Sequence, residues 1–106
     1  MTIIRSISTK TVSGTVSNTA KSLQDFGFAA NDVATADRVI VSVTSGALRL
    51  SWDHPASNPP STSTGLLLPT DNYPLFEVVG RANAASLQMI RDGSSDATIS
   101  VSIESD

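Results

Sequence analysis

The sequence predicts an all-β protein, a β-sandwich or jelly roll of about seven or eight short antiparallel strands in a single domain. Three observations lead there. Apolar side chains alternate with polar ones in several short runs, the period of a half-buried strand. Ser and Thr supply 28 of the 106 residues while Lys and Glu are scarce, a composition that suits pleated surfaces better than helices. Gly, Asp and Pro turn signals punctuate the runs at strand-length intervals. A chain of 106 residues is long enough for one core, and it has no cysteine with which to staple it.

Taken in order, "TIIRSIS" (2–8) and "TVSGTVSN" (11–18) read as edge-type strands with little apolar payload. Residues 1–10 form a candidate N-terminal strand or arm. Lys10 and Lys21 flank these segments, and edge lysines discourage unwanted pairing. "FAANDVATADR" (28–38) is the one stretch given a helical turn, with Asn31 as its N-cap.

In "RVIVSVT" (38–44), Val39, Val41 and Val43 share a face, and Ile40 on the other face suggests cover on both sides at one end. "SGA" (45–47) then predicts a hairpin to "LRLSW", where Leu48, Leu50 and Trp52 alternate with Arg49 and Ser51. "PLFEVVG" (74–80) is a shorter strand. In "SLQMIRDGSSDATISVSI" (86–103), Asp92-Gly93 predicts a second hairpin between Leu87, Met89, Arg91 and the alternating Ala97, Ile99, Val101, Ile103. No repeat, linker or domain boundary is visible.

Charge and composition exclude several classes. The formal charge is −3 without a Lys/Arg cluster, and five aromatics lie scattered, so neither a phosphate-tracking surface nor a base-stacking platform is expected. The apolar runs are far too short to span a membrane. "MTIIRSISTK" lacks an apolar core and a small-residue cleavage site, which points to a protein made in the cytoplasm. One His and no Cys exclude the familiar zinc sites, and the acidic residues lack Ca²⁺-loop spacing, so no metal or cofactor is expected.

The stretch "SWDHPASNPPSTSTG" (51–65) concentrates chemistry: the only Trp, the only His, Asp53, three prolines and a run of hydroxyls. Asp53, His54 and Ser57, Ser61 or Ser63 superficially supply a nucleophilic triad. Neighbours on a strand end project to opposite sides, however, so Asp53 is poorly placed to orient His54, and no G-x-S-x-G elbow is present. Asp71, Glu77, Asp92 and Asp96 contain enough carboxylates for glycoside hydrolysis, but Asp92 and Asp96 flank a turn, where Asp commonly bonds its own backbone. Trp52 reads as core or core-rim, with sugar stacking beside Tyr73 as the functional alternative. The prolines make the loop stiff, suited either to crossing between sheets or to touching a partner. Asp53, His54, Asn58 and Tyr73 are the candidate contact residues, and no catalytic residue is expected.

From Val39 onward the order of features resembles a group of small virion proteins of tailed bacteriophages. The resemblance is carried by "ALRLSWD" (47–53), "PPSTSTG" (59–65), "LLLPTDN" (66–72), "FEVVG" (76–80) and above all "LQMIRDGSSDATISVSI" (87–103), with "TVSNTAKSL" (15–23) similar to the group's opening. It departs at "DHPASNPPS", where the group has a tighter Asp-Gly-x-x-Pro-(Thr/Ser). The resemblance implies a non-enzymatic structural subunit of the virion. The first expectation is a capsid cement (decoration) protein on the major capsid protein, as a closed homo-oligomer such as a trimer. The alternatives are a neck, tail or baseplate subunit, and, in another class, a carbohydrate-binding module. The N-terminal arm would pair with a neighbouring sheet edge or with the shell.

Overall fold

The computed structural model describes residues 8–52, 59–69 and 75–105. In chain order these form β1 (Ser8–Val16), β2 (Lys21–Ser22), α1 (Leu23–Phe26), α2 (Ala30–Ala34), β3 (Arg38–Ser45), β4 (Ala47–Ser51), β5 (Leu66–Pro69), β6 (Leu75–Val79), α3 (Arg81–Ser86), β7 (Gln88–Arg91) and β8 (Ala97–Ser105). The strands make two four-stranded antiparallel sheets, ordered β1-β8-β3-β6 and β2-β7-β4-β5. The all-β expectation of a two-sheet sandwich is met.

The alternation seen in the sequence becomes the inside and outside of the sandwich. Val39, Val41 and Val43 of β3 face inward, as do Ala97, Ile99, Val101 and Ile103 of β8; Leu48 and Leu50 of β4 meet them with Leu87 and Met89 from the second sheet. Leu23 and Phe26 of α1, Phe28, Val33 of α2 and Ala84 of α3 close the ends of this layer. On β1 the inward phase runs Val12, Gly14, Val16, and Gly14 is there for space: a Cβ would lie 3.2 Å from the Phe26 ring. Outward, the first sheet carries paired hydroxyls, Thr11 with Ser102 at 2.7 Å and Ser13 with Ser100 at 2.6 Å. Ile40 is only half-buried on that face.

Both predicted hairpins are overturned. β3 lies in one sheet and β4 in the other, and the same holds for β7 and β8. The turns at Gly46 and Gly93 are arches that carry the chain from sheet to sheet. Alternation and turn residues are local and identify strands correctly, but the ladder partner is decided by which inner faces meet. Here β8 pairs with β1 from Val16↔Ala97 to Ser8↔Ser105, and with β3 from Arg38↔Glu104 to Ser45↔Thr98, across a bulge between Val43 and Ser45.

The helices also differ from expectation. Asn31 lies inside α2, whose N-cap is Ala29 without a side-chain bond. The side-chain cap is elsewhere, at Ser22: its hydroxyl accepts from the Asp25 N–H (3.2 Å) while the Asp25 carboxylate accepts from the Ser22 N–H (3.1 Å), a reciprocal capping box that starts α1. β1 runs unbroken from Ser8 to Val16 and so takes in most of "TVSGTVSN", while residues 2–7 of "TIIRSIS" lie outside the described residues. Residues 8–10 of the proposed arm are therefore already laddered to β8, and residues 1–7 lie outside the described residues. No helix among the described residues is long and apolar enough to cross a membrane.

The arches differ in how tightly they are held. Gly46 has φ +75° and a Cβ there would sit 2.6 Å from the Asp96 carbonyl oxygen, whereas Gly93 has φ +66° and nothing within 4 Å. Gly93→Ala is expected to cost about 1 kcal/mol from backbone conformation alone. Gly46→Ala adds a clash with immobile backbone and is expected to cost about 2–4 kcal/mol. Urea unfolding of the two variants checks the order.

Candidate functional site

The candidate residues Asp53, His54, Asn58 and Tyr73 lie outside the described residues, as do Ser57 and Asp71. The segments that flank them in sequence show how the described part of the region is built. β4 brings Trp52 to the rim of the core, half-buried, with its ring 5.6 Å from that of Phe76 on β6 and tilted by 34°. This matches the core-rim reading and links the two sheets at their β5 and β6 edges. Beside Trp52 opens a cleft of about 210 Å³, lined among the described residues by Leu50, Ser51, Trp52, Gly65 and Leu66.

The segment from Pro59 to Gly65 does not cross between sheets. It returns from β4 to β5, which are neighbours in one sheet, and is tied to the outside of that sheet. Arg49 is the tie. Its neighbours Leu48 and Leu50 are buried inward, so Arg49 faces out, donating Nε–H to Asp92 Oδ1 (2.7 Å) and an Nη1 hydrogen to the Gly65 carbonyl (3.0 Å). The Gly93 N–H donates to the Thr62 carbonyl at 2.9 Å, which fixes the loop to the β7–β8 arch. Pro60 is buried, and Gly65 is constrained at φ +111° with Pro60 Cβ 2.9 Å from where a Cβ would lie.

The hydroxyls of this loop hold the loop itself. Ser61 Oγ lies 2.7 Å from Thr64 Oγ1 and accepts from the N–H groups of Thr64 (3.0 Å) and Ser63 (3.3 Å). Ser61 and Thr64 also exchange backbone bonds at 3.1 and 3.3 Å. Such side-chain bonds to nearby backbone make a stiff turn from polar residues.

The carboxylates considered for acid–base chemistry are dispersed. Glu77 lies on the outer face of the first sheet, 3.6 Å from Arg38, while Asp92 and Asp96 sit at the β7–β8 arch. The turn reading of these two aspartates needs amending in one respect: their described bonds run to guanidinium groups, Asp92 to Arg49 and Asp96 to Arg91 (2.6 Å). Arg81 pairs with Asp37 at 2.8 Å and Arg38 with Glu104 at 2.5 Å, so each described arginine has a carboxylate partner. Glu104, by hydrogen bond and then by charge, pushes the Arg38 pKa further above its ordinary value, against a smaller effect of desolvation. Among the described residues no group of three or more His, Cys, Asp or Glu side chains gathers as a metal site.

The feature that sequence reasoning missed is apolar. Among the described residues the large hydrophobics left exposed are Leu66 (44%), Leu67 (43%), Leu75 (63%) and Val79 (61%), and all four belong to β5 and β6. These are the last strands of their sheets, and Trp52, just past β4, reaches Phe76 of β6 from the neighbouring strand of β5. The opposite edge strands, β1 and β2, carry Lys10 and Lys21. The signal was present in "LLLP" and "LFEVV", which carry large apolar residues on both phases of the alternation where an exposed edge strand needs one polar phase.

No protein family, curated protein or solved structure is found to match this chain.

Removing the Arg49 side chain deletes two charge-assisted bonds, the part-buried one to Asp92 and an exposed one to the Gly65 carbonyl. Arg49→Ala is expected to lower stability by about 2 kcal/mol and to alter Trp52 fluorescence as the loop loosens. Lys10→Ala, which breaks an exposed pair with Asp32, is expected to stay within about 0.5 kcal/mol. Denaturant melts followed at Trp52, together with the native emission spectrum of each variant, check both.

Proposed function

We propose that this chain is a non-enzymatic structural subunit that works through protein–protein contact, and specifically a capsid cement protein of a tailed bacteriophage. The observation that carries the contact reading is the exposure of Leu66, Leu67, Leu75 and Val79 on the two edge strands β5 and β6. Exposed apolar residues scattered singly need no explanation, whereas their confinement to two edge strands fits contact made at sheet edges. The phage assignment rests on the resemblance described above, whose most specific part, residues 87–103, spans β7, the Gly93 arch and β8.

A cement protein needs little per-site affinity. A closed oligomer that engages several equivalent shell positions converts weak contacts into strong attachment, since each binding event after the first is intramolecular. A ring or trimer also covers its own apolar edges by closure, which an open arrangement leaves exposed. The self-tied loop at 59–65 and the paired arginines suit a rigid body that docks without rearrangement.

The expected result is a trimer in solution that co-sediments with capsids of the encoding phage and saturates at a fixed ratio to the major capsid protein. Light scattering followed by pelleting measures both. A hexameric or dodecameric ring that ignores the shells would move the assignment to the neck or tail. A monomer that ignores them, yet changes Trp52 fluorescence with an oligosaccharide, would replace the structural reading with carbohydrate binding.

A further inference from the structure

We propose that the edge of β6 receives residues Ile3–Ile7 of a second copy of this chain as an added antiparallel strand. β6 is paired on one side only among the described residues, with β3 from Arg38↔Val79 to Ser42↔Leu75. The Gly80 N–H donates to the Asp37 carbonyl at 2.8 Å. By the alternation of an antiparallel ladder, the even-numbered residues of β6 then direct their peptide groups toward β3, and Leu75, Glu77 and Val79 direct theirs outward. The Val79 carbonyl is taken by Asn83 Nδ2 at 2.9 Å, which closes one end of the edge. The groups at Leu75 and Glu77 and the Val79 N–H remain as the acceptor row.

Side chains define the register. Leu75, Glu77 and Val79 stand on the outer face of the sheet as apolar, acidic, apolar, while Phe76 and Val78 face inward. The segment Ile3-Ile4-Arg5-Ser6-Ile7 has the complementary order on one phase: apolar, basic, apolar. Run antiparallel, as every ladder among the described strands does, it sets Ile3 beside Val79, Arg5 beside Glu77 and Ile7 beside Leu75. Ile4 then falls on the inner phase beside Val78, extending the core at its rim. Glu77 can accept Arg5, since its described ion pair is a long one, 3.6 Å to Arg38, and its side chain is about half exposed.

The donor belongs to another copy by geometry. Ile7 is bonded to Ser8, the first residue of β1, and β1 is the far edge of the same sheet. A strand added outside β6 lies four strand spacings from β1, roughly 19 Å. One peptide step covers only about 3.8 Å. Exchange between copies therefore gives a head-to-tail contact, which closes as a ring where the rotation permits. The inference deepens the homo-oligomer part of the proposed function and rests on that part alone.

The chain has no cysteine, so a disulfide reports the pairing cleanly. Arg5 opposite Glu77 would be a hydrogen-bonded pair of the ladder, whose Cα atoms lie about 5.5 Å apart, within the range a disulfide spans. Oxidised Arg5→Cys/Glu77→Cys protein is expected to give reductant-sensitive multimers at low concentration, while Arg5→Cys/Ser95→Cys, with the second cysteine at the distant arch, stays largely uncross-linked. A product that remains at monomer mass, or equal multimer yields from both pairs, would overturn the inference. In parallel, Arg5→Glu and Glu77→Arg are each expected to weaken self-association about tenfold by light scattering, and the double exchange Arg5→Glu/Glu77→Arg to restore it. Folding of each variant is confirmed by circular dichroism, and failure of the double exchange to restore association also counts against the pairing. Copies that cross-link as expected but ignore capsids would leave the strand exchange standing and remove the cement assignment.

Discussion

The structure depends on β8. This last strand lies between β1 and β3, and it lines the core with Ala97, Ile99, Val101 and Ile103. Its ladder with β1 joins residues about as far apart as the described chain allows, Ser8 with Ser105. Without it β1 would have no partner, and β3 would be left with β6 alone. The inner valines of β3 would then lose the neighbours that exclude water from them. Folding must close these long loops before the contacts repay the chain entropy, the regime of slow, non-local β-topologies.

That dependence explains the two arches. A hairpin would satisfy β3 and β4 locally, but both are apolar on one phase, and pairing side by side would leave those faces to be covered by something else. Placing them in opposite sheets lets Val39, Val41 and Val43 meet Leu48 and Leu50 across the core. Gly46 makes this turn because its backbone passes against that of Asp96 and Ala97 at the start of β8. The corner and the central strand thus constrain each other, and the Arg49–Asp92 pair continues the tie on the outer side.

What the sequence made legible follows from what is local. The inward phases of β3, β4 and β8 were readable because burial of one strand face imposes period 2 on that strand alone. Strand pairing was not, because it is a property of two faces distant in sequence. Ile90 illustrates the limit: its phase is opposite to Met89, yet both are buried, since the second sheet is covered outside as well as inside at that point. The cap at Ser22 with Asp25 was written in four residues and could have been found. The described part of the loop, 59–65, was identifiable as a stiff polar turn, but its attachment through Arg49, Gly65 and Asp92 joins three segments that only the fold brings together.

The two pairs of edge strands solve the edge problem differently, and the difference bears on function. In one pair β1 carries Lys10, paired with Asp32 of α2, and β2 carries Lys21. Charges there oppose edge-to-edge association. In the other pair β5 is short and ends on Pro69, which has no N–H to offer an incoming strand. β6 has neither device. It holds no Lys and no Pro, shows Leu75 and Val79 to solvent, and keeps one charge, Glu77, between them. A single acidic residue does little to repel a strand that carries a basic residue at the matching position, and it disfavours one that does not. An edge so patterned, and without a second strand among the described residues, would discriminate between partners instead of excluding all of them.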